Sequence, residues 1–287
     1  MGDAADIAVT GATGELGGGV ARRLAQRGIA QRLVVREPAR APDLDGATVA
    51  VGRYADGDAM RRALDGVRTV FLVSGEEARD RLAQHRSAVD AATAAGVERV
   101  IYTSFVGAAP DATFTLARDH FHTEEHLHGA GLRTVALRNS LYADLLPYMV
   151  SDGVLRGPAG DGRVAPVIRD DIADVAVATL LDEQYDGATF DVTGPALMTL
   201  HDVAAVLAET TGEPVRYQPE TLDEAYASRA PYGAPDWEVT GWVTSYAAIA
   251  AGELEVVSDA VERIAGHPPV AFRDFLRSGH RAAGEPG

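Results

Sequence analysis

The sequence predicts an α/β fold with a doubly wound parallel sheet, on three observations. Short β-branched runs alternate with helix-period segments through the first half of the chain. The first run, Ile7-Ala8-Val9-Thr10, leads into Gly11-Ala12-Thr13-Gly14-Glu15-Leu16-Gly17. A helical pattern carrying Val20 and Leu24 follows that glycine turn. Alternation of this kind builds a parallel sheet covered on both faces, with right-handed crossovers. Strand, Gly-x-x-Gly-x-x-Gly and helix together read as the phosphate turn of a Rossmann unit.

The elements follow in order. Arg32-Leu33-Val34-Val35 reads as the second strand and Thr48-Val49-Ala50-Val51 as the third. Ala59 to Leu64 reads as a helix. Thr69-Val70-Phe71-Leu72-Val73 is a fourth strand, ending at Ser74-Gly75. Ala78 to Ala95 has helical spacing and stops at Gly96. Arg99-Val100-Ile101-Tyr102-Thr103 is the fifth strand. His120 to Leu127 is helical, and Arg133 to Arg138 is the sixth strand. Asp170-Asp171 opens a helix with acid in its first turn, as the dipole favours. Thr189 to Gly194 supplies one more strand. Two helical segments and Gly/Pro-rich loops follow, and Gly284-Glu285-Pro286-Gly287 reads as a frayed tail. The division expected is a Rossmann domain over 1–142, completed by about 165–195. A smaller C-terminal substrate lobe would take 143–164 and 196–287.

The glycines carry the chemistry of the turn. Gly11 permits the sharp bend, Gly14 lets backbone N–H groups approach a pyrophosphate, and Gly17 lets helix and strand pack closely. The anion would sit at the helix N-terminus. The second strand ends at Arg36, where an NAD site usually places an acid and an NADP site an arginine. Arg36, with Arg40 one turn later, favours NADP(H); adjacent Glu37 keeps NAD(H) as the lesser alternative.

Composition excludes several classes. There is no Cys, hence no disulfide, thiolate nucleophile or cysteine-zinc site. There is no Lys either. A Tyr-x-x-x-Lys proton relay and Schiff-base chemistry are therefore unavailable, because Arg does not give up its proton. A net charge of −16 would repel a phosphate backbone, so no nucleic-acid partner is expected. No apolar run is long enough to span a membrane. The N-terminus carries Asp3 and Asp6 in place of a basic region, so a cytoplasmic protein without a signal peptide is expected. No Gly-x-Ser-x-Gly elbow supports a serine hydrolase.

Two other constellations compete for attention. His120, His122, His126 and His128 crowd one helix, and His122-Thr123-Glu124-Glu125-His126 fits a zincin spelling. The strand-turn-helix context is wrong for that reading, so no metal is expected. His120 alone is kept as a candidate proton donor, since an ordinary His titrates near neutrality. Trp237, Trp242, Tyr226, Tyr232 and Tyr246 would either wall a pocket for a planar substrate or simply form the lobe's core.

Several stretches resemble the NmrA-like branch of atypical short-chain dehydrogenase/reductases, and within it the type-2 NAD(P)H:quinone oxidoreductases. They are Val9 to Gly14, Val35 to Arg40, Ala94 to Val97, Tyr102-Thr103-Ser104, Leu137-Arg138-Asn139-Ser140-Leu141-Tyr142, Ala159 to Gly162, and Gly266 to Pro269 with Phe272. The resemblance implies that Gly11, Thr13, Gly14, Leu16 and Gly17 hold the pyrophosphate and Arg36 the 2′-phosphate. Tyr54 and Asp56 would border the adenine and Ser74 the ribose. Thr103 and Ser104 would lie at the ligand-binding edge of the sheet. Asn139 and Tyr142 would face the nicotinamide and substrate, although Tyr142 could equally be a loop aromatic. Where many relatives carry a Lys, this chain has Glu125, which removes a Lys-assisted mechanism. The function implied is hydride transfer from NADPH to a quinone or related planar conjugated carbonyl. The alternatives are a nicotinamide-sensing regulator that does not turn over, and a tailoring enzyme of aromatic secondary metabolism. A homodimer is compatible with the sequence.

Overall fold

The structure, a computed structural model, describes residues 5–279. The tail Gly284-Glu285-Pro286-Gly287 lies outside the described residues. The elements run β1 (Ile7–Thr10), α1 (Glu15–Gln26), β2 (Gln31–Val35), β3 (Ala47–Val51), α2 (Gly57–Ala63), β4 (Thr69–Leu72) and α3 (Arg81–Ala94). They continue with β5 (Arg99–Phe105), α4 (Thr115–Gly129), β6 (Arg133–Asn139), β7 (Val150–Ser151), β8 (Val154–Gly157), β9 (Arg163–Val164) and α5 (Arg169–Leu181). The last are β10 (Thr189–Val192), β11 (Met198–Thr199), α6 (Leu200–Thr211), β12 (Arg216–Pro219), α7 (Leu222–Arg229), α8 (Asp236–Ala250) and α9 (Phe272–Arg277).

The main sheet has seven strands in the order β10-β6-β5-β4-β1-β2-β3. β1 pairs in parallel with β2 on one side and β4 on the other, with Ile7 opposite Gln31 and Thr69. The chain therefore reverses its direction of winding at β1. Open α/β sheets bind ligands outside the carboxyl ends of the strands at such a point. The loops that matter are those after β1, β2 and β4.

The chain divides into two compact units. One comprises the described part of Met1–Ser104 with Asp119–Arg138 and Ile172–Phe190. The other comprises Phe105–Arg118, Asn139–Asp171 and the described part of Asp191–Gly287, and draws on about as much chain as the first. The first has a core of strand residues such as Val34, Val70, Leu72 and Val100, packed on Met60, Val89 and Leu127 from the helices. Val70, Phe71 and Leu72 are buried in succession, the continuous apolar run that a strand covered on both faces requires. In the second, Leu155 and Tyr217 from strands pack on Leu200, Val203, Leu207 and Ile249.

Every strand read from the sequence is present, but the second half is richer than it reads. After β10 the described residues form four α-helices, α6 to α9. β8 lies between β7, antiparallel, and β12, parallel, in a three-stranded sheet. β12 is Arg-Tyr-Gln-Pro with only Tyr217 buried, and β7 has two residues, so neither shows a period-two pattern. The capping boxes Thr199/Asp202 and Thr221/Glu224 start α6 and α7 and were available as sequence signals.

Candidate functional site

The glycine turn is built as its sequence requires. Gly11 has φ +63°, a left-handed backbone that favours glycine. A Cβ on Gly17 would lie 2.3 Å from the Gly11 carbonyl oxygen, so α1 can sit this close to β1 only with glycine at that position. Leu16 is buried and Thr13 half-buried. Gly14 differs from both. It caps α1 in extended backbone (φ −92°, ψ 172°), which any residue adopts, and a Cβ there would meet only the Gly11 oxygen at 3.4 Å. Nothing in the protein demands glycine at position 14. No side chain caps α1, and helix geometry leaves its first-turn N–H groups without partners in the helix. Free donors, a positive dipole end and a missing Cβ fit a pyrophosphate.

The neighbouring loop is tied down by hydroxyls. The Val73 N–H donates to Thr10 Oγ1 at 2.9 Å, and Thr10 Oγ1 also meets the Tyr54 hydroxyl at 2.6 Å. Tyr54 donates to the Val73 carbonyl at 2.6 Å, and burial pushes its pKa up, so it stays protonated. The Ser74 N–H donates to Thr103 Oγ1 at 2.6 Å, which brings Ser74 and Thr103 together at the strand ends. Asp56 caps α2, its carboxylate accepting from the Ala59 N–H at 2.9 Å. Ser104 donates to Glu124, which is also gripped by Arg138 through contacts of 2.6 and 3.0 Å. Arg36 is exposed at the end of β2 and forms a two-pronged ion pair with Glu76, one contact being 3.0 Å.

His120, the candidate proton donor, sits inside a buried polar network. It is buried, with Nε2 3.0 Å from Arg81 Nη2 and Nδ1 2.9 Å from the Tyr102 hydroxyl. Burial first, and the Arg81 charge second, push its pKa well below the ordinary 6.5. Both ring nitrogens are engaged within the protein. Since Arg81 can only donate, Nε2 accepts and Nδ1 carries the proton, an assignment made from the network. His85 extends the network: its Nε2 accepts from the Gly75 N–H at 2.8 Å, and its Nδ1 meets Thr123 Oγ1 at 2.9 Å. Arg81 Nε donates to the Gly75 carbonyl at 2.9 Å, so both backbone groups of Gly75 are held. Arg81 and His85, four residues apart on α3, give one faint sequence signal for this network: two polar residues on a buried helix face.

The network has a pH consequence. Burial and Arg81 hold His85 at about 3. A His whose folded pKa is depressed contributes stability that is fully present above its unfolded value near 6.5. That stability is lost as pH falls from 6.5 toward 3, because the unfolded state takes up the proton first. Urea unfolding is expected to lose about 1.4 kcal/mol per pH unit for each such His in this window. His85→Gln should remove one proton from the slope; an unchanged slope would show that His85 is charged in the native protein.

In the second unit, Asn139 is fully buried, and neither polar atom of its amide has a partner among the described residues. The Ser140 hydroxyl beside it is likewise unpaired. Such groups cost about 1–3 kcal/mol each, and they persist where a ligand or water completes them. Tyr142 is half-buried, with the Arg169 guanidinium 5.8 Å from its ring centre, and Arg169 also pairs with Asp144. A cavity of about 560 Å³ in this unit is lined by Tyr148, Met149, Arg156, Tyr232, Trp242 and Tyr246, among others. Three of the five aromatics singled out from the sequence thus wall a cavity; Trp237 and Tyr226 are not in its lining.

His126 Nε2 bonds Asp90 at 2.7 Å, and no three His, Asp or Glu side chains among the described residues gather as a metal site would. No helix among them is long and apolar enough to cross a membrane.

Comparison with known proteins agrees with this geometry. Residues 3–232 match the model of the NmrA-like family. The chain is 34% identical to quinone oxidoreductase 2 of Escherichia coli over 94% of its own length and 97% of that protein. The crystal structure of that NADPH-dependent enzyme with NADPH superposes with a TM-score of 0.86, covering 95% of this chain and 99% of the other. An NAD(P)H azoreductase of Xenophilus azovorans is 29% identical over 96% and 98% of the two chains. The triphenylmethane reductase of Citrobacter, complexed with NADP(H), gives a TM-score of 0.83 at 28% identity, covering 95% and 99%. Glycine turn, strand order and whole-length similarity agree, and the chain belongs to the NmrA-like family.

Proposed function

We propose that this protein transfers hydride from NADPH to a quinone or a related planar conjugated carbonyl. It is an NAD(P)H-dependent oxidoreductase, as its relatives are, and its cofactor is NADP(H). The observation that carries the reading is the uncapped N-terminus of α1 behind Gly14, with Arg36 at the end of the next strand. Gly11, Thr13, Gly14, Leu16 and Gly17 supply the pyrophosphate cradle, and Arg36 is the ligand proposed for the 2′-phosphate. Tyr54, Ser74 and Thr103 hold the β4 loop in position. Ser104 and Asp56 act from behind, one fixing Glu124 and the other capping α2.

Bound there, the reduced nicotinamide supplies the hydride, and the reduced quinone takes one further proton from water. No residue of this chain needs to donate that proton, and His120 is assigned to positioning. The unpaired Asn139 amide is the proposed ligand contact of the second unit. Its aromatic cavity suits stacking with a planar substrate. Tyr142, packed against Arg169, serves as a loop aromatic that shapes this region.

The test is absorbance at 340 nm with NADPH or NADH and a panel of quinones and azo dyes. Quinone-dependent loss of NADPH is expected. Arg36→Ala should raise KM for NADPH about 10- to 100-fold, the value of a charge-assisted pair to phosphate, and leave NADH unchanged. Tight NADPH binding without consumption across the panel would refute the reductase reading and favour a sensor.

A further inference from the structure

We propose that Glu76 is a built-in competitor of the cofactor's 2′-phosphate for Arg36, and so sets how strongly the protein prefers NADPH to NADH. The proposal rests on the reading of Arg36 given above. Glu76 follows the pinned Ser74-Gly75 loop after β4, and its carboxylate takes both terminal nitrogens of Arg36, with Nη1 to Oε2 at 3.0 Å. A guanidinium fork recognises carboxylate and phosphate through the same two parallel N–H groups. The two anions cannot both use it. Glu37, adjacent to Arg36, adds a second negative charge, and Arg40 is the other cation that acts on Glu76.

The pair lies in the open. The Arg36 side chain is 55% exposed and that of Glu76 73%. An exposed pair of this kind is easily broken, so it weakens the incoming phosphate without excluding it. Displaced by the phosphate, Glu76 stands beside a dianion and repels it, which favours release. NADH has no 2′-phosphate and does not contest the pair, so its affinity is insensitive to Glu76. Backbone geometry offers no other reason for the contact: Glu76 caps no helix, and the loop is already held through Gly75 by Arg81 and His85.

The experiment measures Kd for NADPH and NADH by quenching of intrinsic fluorescence on the full chain, with Glu76→Gln, Glu76→Ala and Arg36→Ala. Both Glu76 variants should bind NADPH about threefold to tenfold more tightly, the worth of one exposed ion pair plus the repulsion removed. NADH affinity should stay within about twofold, since NADH has no 2′-phosphate to contest the exposed pair. Arg36→Ala should weaken NADPH and abolish the gain from Glu76→Ala in the double variant. If Arg36→Ala leaves NADPH untouched, the assignment of Arg36 itself has failed. If Arg36→Ala acts as expected but the Glu76 variants bind NADPH no better, the competitor proposal alone is overturned. Weaker NADH binding in Glu76→Gln would overturn it too, by making Glu76 a ribose ligand. Glu76 is exposed, and an unchanged thermal midpoint would show that the variants are folded.

Discussion

Gly17→Ala is expected to reduce NADPH binding at least a hundredfold and to destabilise the protein by about 2 kcal/mol or more. The added methyl would sit 2.3 Å from the Gly11 oxygen, 2.6 Å from the Gly11 carbonyl carbon and 2.7 Å from the Thr10 oxygen. All three are backbone atoms of the turn that shapes the cradle, so no side chain can swing away. Relief requires α1 to move off β1, which carries with it the first-turn N–H groups proposed to hold the pyrophosphate. Gly14→Ala should behave differently. Its methyl meets one atom at 3.4 Å and its backbone is unstrained. It should unfold within about 0.5 kcal/mol of the parent, as surface changes do, yet lose NADPH affinity because the methyl enters the space a phosphate needs. Urea unfolding and fluorescence titration separate the two outcomes. A Gly14→Ala protein that binds NADPH normally would remove the pyrophosphate from that position.

These two glycines show what the sequence could and could not convey. The motif spacing announced the turn, and the order of β-branched runs announced the seven strands, because both depend on local periodicity. The place of Arg36 just past the second strand was legible for the same reason. Its partner was not. Glu76 is 40 residues away, and only the adjacency of loops after β2 and β4 brings the two together. The surroundings of His120 were equally hidden. A histidine in a polar helix suggests a titrating surface group, but His120 is buried against Arg81 and His85 of α3 and Tyr102 of β5. The unpaired Asn139 amide is a third case, since the absence of partners is a tertiary fact. Short strands such as β7 and β12 escaped because two to four residues carry too little pattern to outweigh their polar composition.

Loss of Arg99 should cost the fold heavily. It opens β5, is only 1% exposed, and spends its guanidinium completely within the first unit. Nη1 donates to the Leu180 carbonyl at 3.0 Å, and Nη2 donates to Thr179 at 2.7 Å and Asp182 at 3.0 Å, while Nε pairs with Asp186. Two of those carbonyls belong to the last turn of α5, where helix geometry leaves them without partners and the dipole is negative. Arg99 is thus a C-terminal cap delivered from a strand. Arg99→Met keeps the volume but strands the carbonyls and leaves Asp186 with only Arg133, which contacts it at 3.0 Å. Breaking a buried pair in this way costs about 3–5 kcal/mol. Arg99→Lys should recover little, because one compact ammonium cannot reach four acceptors set around a planar fork. The cause can be separated from lost packing. If the uncompensated carboxylate dominates, adding Asp186→Asn to Arg99→Met should restore at least about 1 kcal/mol in a double-mutant cycle. If the double variant is simply additive, the carbonyls of α5 carry the loss. An Arg99→Met protein less than about 1 kcal/mol below the parent would mean that water enters and replaces the guanidinium, since only new partners could offset so many broken bonds.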